Sequence, residues 1–255
     1  MGKIIAVTNQ KGGVGKTTTA VNLSACLAEA GQRVLAVDFD PQGNTTSGLG
    51  QKASKHSAYE TLVAQAEIGD CIVSTRVKGL DLLPADIRLA GAEIELVNIE
   101  GREYRLKEAL KSVSSRYDFI FIDCPPSLGL LTVNAMAAAT RVLVPIQCEY
   151  FALEGVTSLM NTISRINRTI NPTLDIEGIL LTMLDGRTNL GLQVVDQVKR
   201  RFKNKVYAVT IPRNVRLGEA PSHGLPIHLY DSRSAGAEAY RALAKEVLER
   251  NGVLK

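Results

Sequence analysis

Short, continuous apolar runs punctuate this chain from end to end, and amphipathic stretches separate them. The runs are Ile4-Ile5-Ala6-Val7, Arg33-Val34-Leu35-Ala36-Val37-Asp38, Phe119-Ile120-Phe121-Ile122-Asp123, Arg141-Val142-Leu143-Val144-Pro145-Ile146, Ile179-Leu180-Leu181-Thr182-Met183 and Val206-Tyr207-Ala208-Val209-Thr210-Ile211. They do not alternate with polar residues and are rich in β-branched side chains, so each reads as a strand buried on both faces. Helical periodicity fills the intervals, as in Thr17 to Ala30 and in Ala235 to Asn251, where Tyr240, Leu243, Ala244, Val247 and Leu248 form one apolar stripe. Strands and helices in this order predict an α/β fold, a mostly parallel twisted sheet with helices on both faces. Neither an internal repeat nor a Pro/Ser/Gly linker divides residues 1–255, so a single domain is expected. Gln51 to Gly79 reads as a polar loop with a helix from Ser57 to Ala66, and Leu89 to Leu96 and Arg102 to Lys107 as surface helices beside the site.

The most informative connection is the first. Asn9-Gln10-Lys11-Gly12-Gly13-Val14-Gly15-Lys16-Thr17-Thr18 lies between an apolar strand and a helix. Glycines there let successive backbone N–H groups converge on an anion, and a helix N-terminus adds partial positive charge. In such a phosphate loop Lys16 reaches the β- and γ-phosphates and the Thr17 hydroxyl ligates Mg²⁺. The usual spacing places a glycine where this chain has Gln10, and a second lysine, Lys11, heads the loop instead. A dinucleotide-binding turn fits less well, because Gly13-Val14-Gly15-Lys16-Thr17-Thr18 lacks the third glycine and buries a lysine.

Ligands of parallel sheets sit at the carboxyl ends of the strands, where Asp38 and Asp123 also fall. Asp38-Phe39-Asp40-Pro41 offers two carboxylates of the kind that positions water for phosphoryl transfer, read otherwise as a capped surface turn. Asp123, closing its strand before Cys124-Pro125-Pro126, suits Mg²⁺ held through water, or else a helix cap.

Lys11-Gly12-Gly13-Val14-Gly15-Lys16-Thr17-Thr18 resembles the deviant Walker A box of the ParA/MinD family of P-loop NTPases. The resemblance implies that Lys11 reaches the partner's phosphates in an ATP-sandwich homodimer, with Gly12 at the seam. It implies that Asp40 orients the attacking water, that Asp38 lies near the magnesium shell and that Asp123 is the Walker B aspartate. Met183, Pro212 and Asn214 fall where relatives hold adenine, and Gln147 to Gly155 where they dimerise. The segments Thr182 to Asn189 and Arg213 to Gly224 are similar to those of short chromosomal ParA proteins of the Soj type. For such a protein the expected activity is ATP hydrolysis driving chromosome or plasmid partition. The dimer would bind double-stranded DNA without sequence preference through Arg187 and Arg216; Lys199, Arg200, Arg201, Lys203 and Lys205 offer a supporting patch, but that run alone reads as an ordinary solvated face at the end of a helix. A ParB-type centromere-binding protein would stimulate hydrolysis, with the acidic Glu149 to Glu154 region as its receptor.

Composition narrows the rivals. With 45% hydrophobic and 22% charged residues and a net charge of +4, the chain is an ordinary globular one for which a nucleic-acid partner is permitted. Cys26, Cys71, Cys124 and Cys148 have no metal spacing, which disfavours iron–sulfur relatives, and His56, His223 and His228 are scattered. With no signal peptide and no long apolar run, a cytoplasmic protein is expected, nucleoid-associated when ATP-bound. A MinD-like, membrane-bound regulator of division-site placement is the main alternative. The mixed charges of the last helix, Glu238, Glu246 and Glu249 among Arg241, Lys245 and Arg250, argue against stable membrane binding. A small-molecule synthetase on the same fold is a further alternative. The first strand begins within a few residues of the start, so no N-terminal helix-turn-helix domain is expected.

Overall fold

The computed structural model describes residues 2–53, 55–149 and 152–254, with backbone only for 152–154. The strands are β1 (Lys3–Val7), β2 (Val34–Asp38), β3 (Val73–Ser74), β4 (Leu80–Leu83), β5 (Phe119–Asp123), β6 (Arg141–Gln147), β7 (Asp175–Leu184) and β8 (Val206–Pro212). They form one sheet in the order β3-β4-β2-β5-β1-β6-β7-β8. All neighbours run parallel except β3, which pairs antiparallel with β4. The longer helices are α1 (Lys16–Glu29), α2 (Leu130–Ala138), α3 (Ala152–Thr169), α4 (Asn189–Phe202) and α5 (Ala235–Arg250).

Alternate strand residues feed two cores, as the period of two requires. Ile5, Val7, Val34, Ala36, Phe119 and Phe121 pack with α1 and α5, whereas Ile4, Ala6, Leu35, Val37, Ile120 and Ile122 pack on the other face with α2, α3 and α4. The apolar stripe of α5 is buried on the sheet. Its polar face has a structural task as well: the Glu246 carboxylate accepts the Ala208 and Val209 N–H groups of edge strand β8 at 2.9 and 3.0 Å, and Arg250 donates to the Val206 carbonyl at 2.7 Å. An edge that would otherwise recruit another strand is thereby covered.

Gln51 to Gly79 is more structured than its polarity suggested. It holds short helices Ala58–Leu62 and Ile68–Cys71 and strand β3, and Ala58, Leu62, Ile68 and Cys71 enter the core. The helix expected to run to Ala66 stops at Leu62, and Ala64 turns the chain with φ +60°. The segments expected as surface helices become helix Leu89–Glu95, a 3₁₀ turn Arg102–Tyr104 and helix Arg105–Lys111, and Leu89, Ala92, Leu106 and Leu110 are buried.

Candidate nucleotide site

Parallel register brings the site together. Val7 pairs with Asp123 and Asp38 also pairs with Asp123, so β1, β5 and β2 end level. Beyond Val7 the chain crosses to α1 through Thr8 to Gly15. The Asn9 amide donates to the Pro145 carbonyl at 2.8 Å while its Oδ1 accepts the Lys11 N–H at 3.0 Å, and the Thr182 hydroxyl donates to the Val14 carbonyl at 2.8 Å. Gly13 and Gly15 take φ of +74° and +88°, a region costly for residues with a Cβ. The N-cap residue of α1 is Gly15, which has no side chain to bond the first N–H groups, and these suit an anion. Lys16 folds over the loop and donates from Nζ to the Lys11 carbonyl at 3.1 Å. Burial lowers its pKa against the opposing pull of Asp123, Cys124 and Asp40.

The acids face this lysine. Asp123 Oδ2 accepts the Thr17 and Thr45 hydroxyls, each at 2.8 Å, while its buried Oδ1 has no partner among the described residues. Asp38 is fully buried: its Oδ2 accepts the Thr46 N–H at 2.7 Å and hydroxyl at 2.6 Å, and its Oδ1 accepts the Asp40 N–H at 3.3 Å. Burial, with Asp123 beside it, pushes the Asp38 carboxyl up to about 8, and burial pushes Asp123 up to about 6. Two carboxyls left short of compensating charge, one with an orphaned oxygen beside the Thr17 hydroxyl, suit an oxygen-seeking divalent cation such as Mg²⁺. Asp40 is buried next to them, and its Oδ1 accepts the Gln42 N–H at 3.0 Å.

A cavity of about 270 Å³ opens from Gly15 and Thr18 and is lined by Met183, Pro212, Asn214, Leu217 and Tyr240. Met183 has φ +52°, uncommon for a residue with a side chain and concentrated at functional sites. Asn214 Oδ1 is buried without a partner among the described residues, an acceptor suited to an exocyclic amine. The three residues expected on the base side therefore do line one cavity next to the phosphate loop.

The Lys11 side chain is engaged by Glu149. Its Nζ pairs with Glu149 Oε2 at 3.2 Å, with both side chains near half exposed, and Gln147 donates to the other oxygen of Glu149. A Cβ at Gly12 would meet nothing within 4 Å among the described residues. Of the region expected to receive a partner, residues 150 and 151 and the side chains of 152–154 lie outside the described residues.

Arg187 and Arg216 lie just past the carboxyl ends of neighbouring strands β7 and β8. Arg187 is 89% exposed and pairs with Asp185 at 2.8 Å, holding that carboxyl down to about 2. Arg216 pairs with Glu219 at 2.8 Å and Asp231 at 3.5 Å. The Lys199 to Lys205 cluster lies elsewhere. It occupies the last turn of α4, which runs back along the sheet, and the 3₁₀ turn after it, where Lys205 pairs with Asp175 at the amino end of β7. A helix of 14 residues spans about 21 Å, so the cluster and the two arginines occupy opposite ends of the sheet and do not form one patch.

Sequence reasoning missed Thr45, Thr46, Asn9, Thr182 and Tyr240. Asn9 and Thr182 stand inside segments already singled out, and Thr45-Thr46 directly after Asp38 to Asn44, but none of them shows in sequence the contact it makes.

Loop, acids and cavity together define a P-loop nucleotide-binding protein with a second lysine at the head of its loop. A family model described as an AAA domain matches residues 2–176. The sporulation initiation inhibitor protein Soj of Bacillus subtilis (strain 168) is 63% identical over 249 residues, 97% of this chain and 98% of Soj. The chromosome-partitioning ATPase Soj of Treponema pallidum (strain Nichols) is 53% identical over 252 residues, 99% of each chain. The chain belongs to this Soj/ParA family of chromosome-partitioning ATPases. Among solved structures, a cobyrinic acid a,c-diamide synthase from Mycobacterium smegmatis, with a bound ATP analogue and magnesium, is 42% identical with a TM-score of 0.87 and covers 99% of this chain and 96% of its own.

Proposed function

We propose that this ATPase partitions chromosomes or plasmids by turning nucleotide state into DNA affinity. The observation that carries the reading is the convergence of Lys16, Thr17, Asp38, Asp40 and Asp123 at the level ends of β1, β2 and β5, where one Asp123 oxygen has no partner among the described residues. ATP is the substrate, its phosphates on the Lys11 to Thr18 loop and its base in the cavity lined by Met183, Pro212 and Asn214. Mg²⁺ on Thr17 and, through water, on Asp123 would neutralise charge developing on the phosphates, with Asp38 behind it. Lys16 holds the phosphates, and Asp40 orients the attacking water. Lys11 would complete the active site of a second copy across Gly12.

The ATP dimer would present Arg187 and Arg216 from both protomers to duplex DNA. Two weak patches joined in one body bind far more tightly than either alone, so dimerisation by ATP switches DNA binding on. A ParB-type partner would stimulate hydrolysis and release the DNA, and the protein would be cytoplasmic and move on and off the nucleoid. A membrane-bound, MinD-like role is disfavoured, because the stripe of α5 that would enter a bilayer is buried on the sheet. No helix of the described residues is long and apolar enough to cross a membrane. The test is retention on DNA-cellulose with ATP, with ADP and without nucleotide, alongside ATP turnover with and without a ParB-type protein and DNA. Retention that requires ATP and turnover that rises with the partner are expected. A synthetase would turn ATP over without ATP-dependent retention, and that outcome would overturn the reading.

A further inference from the structure

Away from the nucleotide, the exposed side chains of Val97 and Leu128 line one groove, and Ile94 and Ile99 flank Val97 along the chain. Ile94 is 78% and Val97 54% exposed, and Ile99 and Leu128 are also open to solvent. A groove of about 520 Å³ runs here between helix Leu89–Glu95, the 3₁₀ turn Arg102–Tyr104 and α2. Its floor is apolar, formed by Val97, Leu128, Leu130, Val133 and Ile170, and Glu93 and Glu103 stand at its walls. Clustered exposed apolar area with a polar border marks an interaction surface. The border is mainly acidic, with Glu93 and Glu103 beside Arg102. Residues 89–104 carry Glu93, Glu95, Glu100 and Glu103 against Arg102 alone, in a chain of net charge +4. The Arg102 guanidinium is engaged in donating to the Val97 carbonyl.

We propose that this groove docks a cationic amphipathic segment of a separate protein, its apolar side on Val97, Leu128 and Val133 and its lysines or arginines against the glutamates. Charge complementarity selects this occupant over a second copy. A twofold contact through one patch sets that patch against itself, and here it would set glutamates against glutamates.

The groove is joined mechanically to the loop that follows Asp123. Glu93 Oε1 accepts the Leu131 N–H at 3.3 Å in the first turn of α2. The carboxylate lies against the backbone here: a Cβ on Gly129 would fall 2.3 Å from that oxygen and make the Glu93 side chain swing aside. The same turn is tied back to the loop by the Thr132 hydroxyl, which donates to the Ser127 carbonyl at 2.6 Å. A docked cation that pairs with Glu93 withdraws this carboxylate from α2 and loosens the segment from Cys124 to Leu131. Occupancy of a surface groove is thereby felt at Asp123. Docking itself stands on the groove alone; only this consequence rests on the nucleotide-site reading above.

The probe is a fluorescein-labelled synthetic helical peptide of leucine and lysine, with a leucine and glutamate peptide as its control, followed by anisotropy. Ile94→Ser/Val97→Ser and Glu103→Lys alter exposed or half-buried side chains, and thermal melts and basal ATP turnover verify that each variant is folded. The parent is expected to bind the lysine peptide and not the glutamate peptide, and both variants to bind roughly tenfold more weakly or worse. Hydrogen exchange over residues 124–131 should quicken in the parent when the lysine peptide binds. Equal affinity for parent and both variants would overturn the proposal. So would loss of ATP-dependent dimerisation in the Ile94→Ser/Val97→Ser protein, because that assigns the groove to a second copy. Peptide binding needs no nucleotide, so a failure of docking and a failure of ATP turnover are seen separately.

Discussion

Replacing Asp40 by Ala separates hydrolysis from everything that precedes it. The side chain accepts one hydrogen bond, from the Gln42 N–H at 3.0 Å, and the turn retains its backbone bond from the Gly43 N–H to the Asp40 carbonyl at 2.9 Å. Losing one such bond costs about 1 kcal/mol of stability. The bonds from Thr17 and Thr45 to Asp123, and from Lys16 to the Lys11 carbonyl, do not involve Asp40. ATP affinity should therefore stay within about threefold of the parent, a difference under roughly 1 kcal/mol. Removing a carboxylate beside Asp123 also lessens the crowding of like charge there, which acts in favour of a bound cation. Turnover behaves differently. A group that positions or activates water contributes about 10²- to 10⁴-fold, or roughly 3 to 5 kcal/mol of barrier. Single-turnover hydrolysis of labelled ATP, with affinity measured separately by a fluorescent analogue, should show chemistry reduced at least a hundredfold with binding retained. Parent-like hydrolysis by Asp40→Ala would refute the assignment. A matching loss of nucleotide binding would show that Asp40 shapes the loop and does not act on water.

Three further outcomes follow from the geometry. Gly12→Val should leave the protomer folded, since a Cβ there meets nothing within 4 Å among the described residues, yet abolish the ATP dimer measured by size exclusion with light scattering; a variant that still dimerises would contradict the sandwich. Glu246→Ala uncovers two N–H groups of edge strand β8 and should lower stability in urea unfolding by about 1–3 kcal/mol and increase aggregation on heating; an unchanged midpoint would show that water replaces the carboxylate without cost. Burial lowers the pKa of His228, whose Nδ1 has no partner among the described residues and which faces Glu29 and Arg241. The unfolded chain therefore takes up its proton first as pH falls through the ordinary histidine value near 6.5, and stability is lost on the acid side. His228→Gln should flatten the melting temperature between pH 7 and pH 5, and an unaltered profile would assign that acid loss to other groups.

The parts of this protein legible in its sequence are those that short-range pattern encodes. Buried parallel strands need continuous apolar runs, and the β1-to-α1 loop needs its glycines and Lys16 in one unbroken stretch, so β1, β2, β5, β6 and the phosphate loop were all placed from residues alone. Strand β4 was missed because Leu80-Asp81-Leu82-Leu83 is short and adjoins a polar interval that its own burial helps to order. Thr45 and Thr182 were missed for a different reason. Each acts through one hydroxyl on a group far away in the chain, Asp123 and the Val14 carbonyl, and a lone threonine announces no such contact. The Lys199 to Lys205 cluster, taken alone, reads in sequence as a solvated face, and only the fold shows where it lies. Its charge is conspicuous in sequence, but α4 carries it to the far end of the sheet from Arg187 and Arg216.

The central claim, that nucleotide state becomes non-specific DNA affinity through the two loop arginines, is tested most directly by one salt titration. Parent and Arg216→Glu proteins, each loaded with ATP, are titrated on two duplexes of unrelated sequence. Arg216 is exposed and held by Glu219 and Asp231, so the substitution alters surface charge and should leave ATP-dependent dimerisation intact. The parent should bind both duplexes equally and only with ATP, with log affinity falling against log salt by about 0.9 for each phosphate neutralised. Arg216→Glu should bind both more weakly and with a shallower slope. Equal affinity of the two proteins would remove Arg216 from the interface, and parent binding that ignores ATP or prefers one duplex would contradict the account.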